Sequence, residues 1–125
     1  MGKKSDNGNS LERVGRLKLN VAKAIHRKCA YIYITQRSIA HIEKRHEKEF
    51  NQLGITAIDF VKLVLNEYNQ IRIGSDDSLL LVVFNGETNN TAGIKMNLEG
   101  NKWIVATAEP RSTQDIMKRK LLWEK

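Results

Sequence analysis

The spacing of apolar residues changes character partway along the chain, and the change divides it into a helical front and a strand-rich back. Leu11, Val14, Leu17, Val21 and Ile25 recur every three or four residues, the stripe of an amphipathic helix over 11–28, with Arg13, Arg16, Lys18, Lys23, Arg27 and Lys28 around it. Gly15 weakens a continuous helix there, so a partly extended arm is the alternative. Tyr31 to Ile34 is a short β-prone run, and Thr35 is a natural N-cap for a helix expected to last to about Phe50. Asn51 and Gly54 break it. A second helix starts from Thr56, with Ile58, Val61, Leu65 and Tyr68 on one side and Leu63 and Val64 widening the stripe.

Beyond Tyr68 the period shortens. Residues 70–73, 79–85, 91–98 and 103–108 are brief β-rich runs separated by Gly-, Asn- and Asp-containing turns, the punctuation of an antiparallel meander. Pro110 is expected to end the last of these strands, and 112–125 reads as a C-terminal helix, with a final edge strand as the alternative. The fold class expected is α+β, with N-terminal helices packed on one face of a four-stranded antiparallel sheet. A chain of 125 residues suits one domain, here 11–125, preceded by a polar Gly-containing lead-in or linker over 1–10.

Chemistry is narrowed by what is missing. The lone Cys29 forms no internal disulfide, and no Cys-x-x-Cys pair, Walker loop, dinucleotide fingerprint or nucleophile elbow occurs, so neither a cofactor nor a structural metal is expected. No apolar run reaches the roughly 18 residues of a membrane span, and the Met-Gly-Lys-Lys start lacks a signal-peptide core. The net charge of +7 is unevenly spread: residues 1–50 hold 12 Lys/Arg against 5 Asp/Glu, and residues 51–110 hold 4 against 7. Basic ends around a more acidic middle suit a polyanion such as RNA, the bland alternative being a solvated basic surface.

Two of the three histidines, His41 and His46, fall on the helix after Thr35, while His26 sits among basic residues as a surface histidine. His46 shares a helical face with Ile39, Ile42 and Phe50. The five-residue spacing is wrong for chelation, since two ligands from one helix need i, i+4. On a regular helix the two rings diverge by about 140° and lie about 7.5 Å apart along the axis. Cleavage of RNA by its own 2′-hydroxyl needs only a base, an acid and a cation, and imidazole can supply either proton transfer without a metal. Other groups must come from the strands. Alternation puts Lys95 on the polar face of its strand, and Trp103, Val105 and Thr107 on a common face leading to Arg111 and Ser112. Arg45 and Arg72 are further phosphate contacts. Taken one at a time, these residues are better explained by an ordinary core or solvent-facing role, and only their convergence in space would reverse that.

The run His41-Ile-Glu-Lys-Arg-His46, after Tyr-Ile-Tyr-Ile-Thr and before a helix and a strand meander, resembles the phage- and polymorphic-toxin-associated branch of the Barnase/EndoU/colicin E5–D/RelE superfamily. The resemblance covers roughly residues 30–123 and is most specific at the His-Ile-x-x-Arg-His signature. It implies a metal-independent endoribonuclease toxin acting in the cytoplasm on tRNA or other RNA. Such a toxin is carried by a secreted or phage polypeptide and restrained by an immunity protein or antitoxin. His41 and His46 match the signature, with Lys95 and Thr107 on strands where such folds hold catalytic groups. A non-catalytic basic module that binds nucleic acid or a protein partner is the rival reading.

Overall fold

The computed structural model describes residues 10–125, so the expected lead-in lies, Ser10 apart, outside the described residues. The elements run β1 (Leu11–Arg16), α1 (Leu19–Ile25), β2 (Tyr31–Thr35), α2 (Gln36–Arg45), α3 (Glu47–Leu53), α4 (Ala57–Glu67), β3 (Gln70–Ile73), β4 (Leu79–Val83), β5 (Thr88–Met96), β6 (Trp103–Ser112), α5 (Thr113–Met117) and β7 (Leu121–Glu124). One sheet holds all seven strands in the order β1-β2-β6-β5-β4-β3-β7. It is mixed, because β2 and β6 run parallel through the pairs Ile32↔Trp103 and Tyr33↔Ile104, while the other neighbours are antiparallel. The expectation of helices on a four-stranded antiparallel sheet is therefore corrected: three further strands, β1, β2 and β7, extend it.

Each difference has a local cause. The helix expected over 11–28 is a strand followed by a short helix. A register shift between Arg13 and Gly15 inserts an extra residue into β1, which turns a two-residue period into three and imitates a helical stripe. Gly15 lets β1 and α4 approach closely there, since a Cβ would stand 3.1 Å from the Leu65 side chain. At the C-terminus, α5 spans only Thr113–Met117, and β7 then pairs with β3, where Trp123 packs edge-on to Tyr68 at 5.7 Å. Pro110 does not end β6, which continues to Ser112. Beyond Ile104 the outer edge of β6 has no strand beside it, so the missing N–H costs no ladder bond.

The helix expected from Thr35 to Phe50 is two helices. Thr35 caps the first, its hydroxyl accepting from the Ser38 N–H at 3.0 Å. The path then bends at His46 (φ −127°, ψ 27°) and resumes as α3. Ile42 before the bend and Phe50 after it both enter the core, where Phe50 meets the ring of Phe60 at 5.2 Å. Phe60, Val61 and Val64 of α4 are fully buried with Ile71, Leu79, Leu81 and Ile94 of the sheet, forming the main core on the helical side. The other face carries a smaller cluster, Leu80 and Val82 beneath Ile116 of α5.

Alternation along β6 also departs from expectation. The pairs Ile94↔Val105 and Gly93↔Thr107 leave Ala106 unmatched, a bulge that re-phases the strand. Trp103 and Val105 face the helices, whereas Thr107 lies beside Gly93 and Leu80 on the opposite face. Thr107 therefore does not share a face with Trp103 and Val105. Phe60→Ala, which empties the centre of the main core, is expected to lower unfolding free energy by about 3–5 kcal/mol in urea titration.

Candidate active site

Past Ile104, β6 loses β2 as a neighbour because β2 turns directly into α2, and the helix then lies along the exposed strand edge. The bend at His46 sits against this edge. The imidazole is 15 % exposed and is gripped at both nitrogens: Nδ1 lies 3.0 Å from Oε2 of Glu49, and Nε2 lies 3.2 Å from Oε1 of Glu109 on β6. The first contact is a hydrogen bond, and the second is an approach at ion-pair distance. Phe50, one turn on, packs against the ring edge at 6.2 Å and holds it at the mouth of the core.

From Glu109 the chain of charges continues across the strand end. The Arg111 guanidinium donates to Glu109 Oε2 at 2.7 Å and to Asp115 Oδ2 at 2.9 Å, and Arg119 stands 3.6 Å from the same aspartate. The Arg111 hydrogen bond holds the Asp115 carboxyl below the usual aspartate range, against a smaller opposing effect of burial. The Glu49 carboxyl is likewise held below the usual glutamate range, first by its hydrogen bond with His46. Acid and base thus alternate from Glu49 through His46, Glu109 and Arg111 to Asp115.

Around Glu109 and His46 close His41, Arg45 and Thr107. The cavity they enclose is about 10 Å³, the space of one water, so a ligand would lie across this cleft rather than inside it. His41 and Arg45 are exposed beside it, and the buried Thr107 hydroxyl has no hydrogen-bond partner. The five-residue histidine spacing, awkward on a regular helix, is accommodated because the helix ends between the two rings.

Of the residues singled out from the sequence, the structure brings together His41, Arg45, His46 and Thr107, with Arg111 one strand step further on. It does not bring in three others. Lys95 pairs opposite Ile104 while Glu109 pairs opposite Thr91, a separation of about 13 Å at ~3.4 Å per residue, and its ammonium lies 3.8 Å from Asp76. Arg72 is 6 % exposed and committed to Gln70 Oε1 at 3.0 Å and the Arg119 carbonyl at 2.8 Å, so it ties β3 to the α5–β7 turn. Ser112 caps α5, its hydroxyl accepting from the Asp115 N–H at 3.2 Å. Glu109 and Glu49 are the partners the sequence did not point to. Glu49 lies three residues after His46, a helical spacing that could have been noticed; Glu109 is 63 residues away, and the Ala106 bulge that aims it has no signature.

Comparison with protein-family models, curated proteins and solved structures finds no match. The likeness at His41–His46 thus remains one of motif. Among the described residues no three His, Cys, Asp or Glu side chains group as a metal site, and no helix is long and apolar enough to cross a membrane.

A pH titration of stability reads the charge chain directly. Because the native Asp115 pKa lies below its unfolded value near 3.9, its stabilisation is complete above that value and is lost as pH falls through the lower native one. With the aspartate 38 % exposed, the loss should be about 1 kcal/mol or less, and Asp115→Asn should abolish this part of the acid limb in pH-dependent denaturation.

Proposed function

We propose that the protein is a metal-independent endoribonuclease that cleaves RNA by 2′-hydroxyl attack, leaving a 2′,3′-cyclic phosphate and a 5′-hydroxyl. The observation that carries this reading is the direct contact of His46 with Glu109, with Arg111 on the carboxylate's other oxygen, at an open strand edge. A base, an acid and a cation are the parts the reaction requires, and here they touch.

In this mechanism the scissile phosphate enters between Glu109 Oε1 and His46 Nε2, exchanging their mutual contact for contacts with the attacking and leaving oxygens. Glu109 takes the proton of the 2′-hydroxyl. His46 gives a proton to the departing 5′-oxygen, and Glu49 on Nδ1 keeps the ring aimed. Arg111 balances the charge that builds on the phosphorane, while His41 and Arg45 contact the flanking phosphate from the helix end and Thr107 donates to a non-bridging oxygen. Lys95, Arg72 and Ser112 have no part in the chemical step. The toxin role, the cytoplasmic site of action and the restraining immunity protein or antitoxin follow from the His-Ile-x-x-Arg-His resemblance alone and are proposed with it.

Incubation with total RNA in excess EDTA is expected to yield fragments ending in cyclic phosphate. His46→Ala and Glu109→Gln should each slow cleavage by roughly 10²-fold or more, while Lys95→Ala leaves dinucleotide cleavage within about two-fold of wild type. Absence of cleavage by wild type, or cleavage by His46→Ala and Glu109→Gln at the wild-type rate, overturns the reading and leaves the rival of a non-catalytic basic module.

A further inference from the structure

The face of the sheet opposite the main core carries a second pattern that leads to the cleft. Strand register fixes it. On β2, Ile32 and Ile34 are fully buried toward the helices, so Tyr31 and Tyr33 project from the other face. Arg16 pairs with Tyr31 and Arg13 with Tyr33, which places both guanidiniums on the same face. Tyr33 pairs in turn with Ile104, and Ile104 with Lys95. The re-phased end of β6 then puts Thr107 and Glu109 on this face as well.

The side chains are arranged for stacking and charge. Arg13 lies over the Tyr31 ring at 4.5 Å, and Lys102 lies 6.0 Å from the Tyr33 ring. Tyr31 is 44 % exposed, a large aromatic face left in solvent. Among the described residues Arg13, Arg16 and Lys102 form no ion pair, and Lys95 has only Asp76, itself 85 % exposed, at 3.8 Å. Glu12, the nearest carboxylate in β1, belongs to the other face, where it meets Lys62 of α4 at 3.6 Å. Cations and aromatic rings therefore alternate from the start of β2 to the cleft, with the exposed Asp76 beside Lys95 as an acid on the way.

We infer that this face is a track for single-stranded RNA, which seats the nucleotides on one side of the scissile bond. The inference rests on the ribonuclease reading for its direction and deepens it by naming the form of the substrate. Bases stack on Tyr31 and Tyr33, which suits any sequence because every base has a π-face, and Arg13, Arg16, Lys95 and Lys102 follow the phosphates. From the level of Tyr31 to Glu109 the track is roughly 20 Å long at ~3.3 Å per residue, so a dinucleotide in the cleft cannot reach it. Duplex RNA offers no unstacked base to the rings. Lys95, remote from the chemistry, acquires a role here as a phosphate contact.

The test separates binding from cleavage. Fluorescence anisotropy with a 2′-O-methyl 12-nucleotide RNA, which cannot be cleaved, measures the track, and dinucleotide turnover measures the cleft. The Tyr31→Ala/Tyr33→Ala variant is expected to bind the 12-mer roughly 5- to 50-fold more weakly while its dinucleotide rate is unchanged. Arg13→Gln and Lys102→Gln, surface changes that spare the fold, should each lower the slope of log affinity against log salt by about 0.7. Circular dichroism establishes that the tyrosine variant is folded. Equal 12-mer binding by wild type and the tyrosine variant overturns the track, as does equally tight, equally tyrosine-dependent binding of duplex RNA. An unchanged salt slope in both cation variants overturns it too. Tyrosine-dependent binding in a wild type that cleaves nothing leaves the track standing and removes the ribonuclease reading. Dinucleotide cleavage without tyrosine-dependent binding does the reverse.

Discussion

The parallel pairing of β2 with β6 is short, and much of the molecule follows from its shortness. Two residue pairs join the strands before β2 ends in Thr35, whose hydroxyl caps a helix and turns the chain out of the sheet. Had β2 continued, β6 would be a central strand along its whole length, both edges closed by hydrogen bonds. Instead its second half has one strand neighbour and one helical neighbour. The strand edge stays accessible, the helix end lies against it, and side chains from elements distant in sequence meet across the gap. Trp103 anchors the junction from below, its indole N–H donating to the Lys28 carbonyl at 2.9 Å.

The helical side adapts to the same constraint. Ile42 lies before the break at His46 and Phe50 after it, one in each helix. Both bury, at 2 % and 3 % exposure, and the histidine at the break between them stays at the rim, 15 % exposed. Its ring is then stabilised by partners on two elements, so the bend and the charge chain support each other. Arg111 and Asp115 extend that chain to α5, which covers Leu80 and Val82 on the far face. The polar line across the strand end is in this way mechanically tied to both cores.

Much of this was legible in the sequence, and the limits have physical reasons. Thr35 and Thr56 announced their helices because capping is a local interaction between a hydroxyl and an amide three residues on. The helix from Ala57 to Glu67 was equally plain, but its buried face was read slightly off, since Phe60 lies at its centre unnamed and Leu63, placed on the stripe, is exposed. The strand character of Leu11–Arg16 was hidden, because a bulge mixes the two periods and nothing in the β-prone run Tyr31–Thr35 says which segment pairs with it. The C-terminal strand was weighed only as the alternative to a helix for a related reason: Leu121–Glu124 is defined by the edge of β3 that it covers, not by its own pattern. At the cleft, His41, Arg45 and His46 were visible as a compact motif on one helix, whereas Lys95 was assigned by alternation, which gives a face but no position along it. Glu109 required knowing that β6 changes phase.

That change of phase at Ala106 gives β6 a property that no substitution on it would have. Each residue after the bulge owes its side of the sheet to a count, not to its chemistry. The strand is written in two frames: Trp103 and Val105 obey one, while Thr107 and Glu109 obey the other. The join between the frames is a single small residue, and the polar segment can exist beside the apolar one without a turn between them. An insertion or deletion of one residue, ordinarily the most disruptive of small changes within a strand, is the event by which a plain sheet of this topology would gain or lose this polar edge.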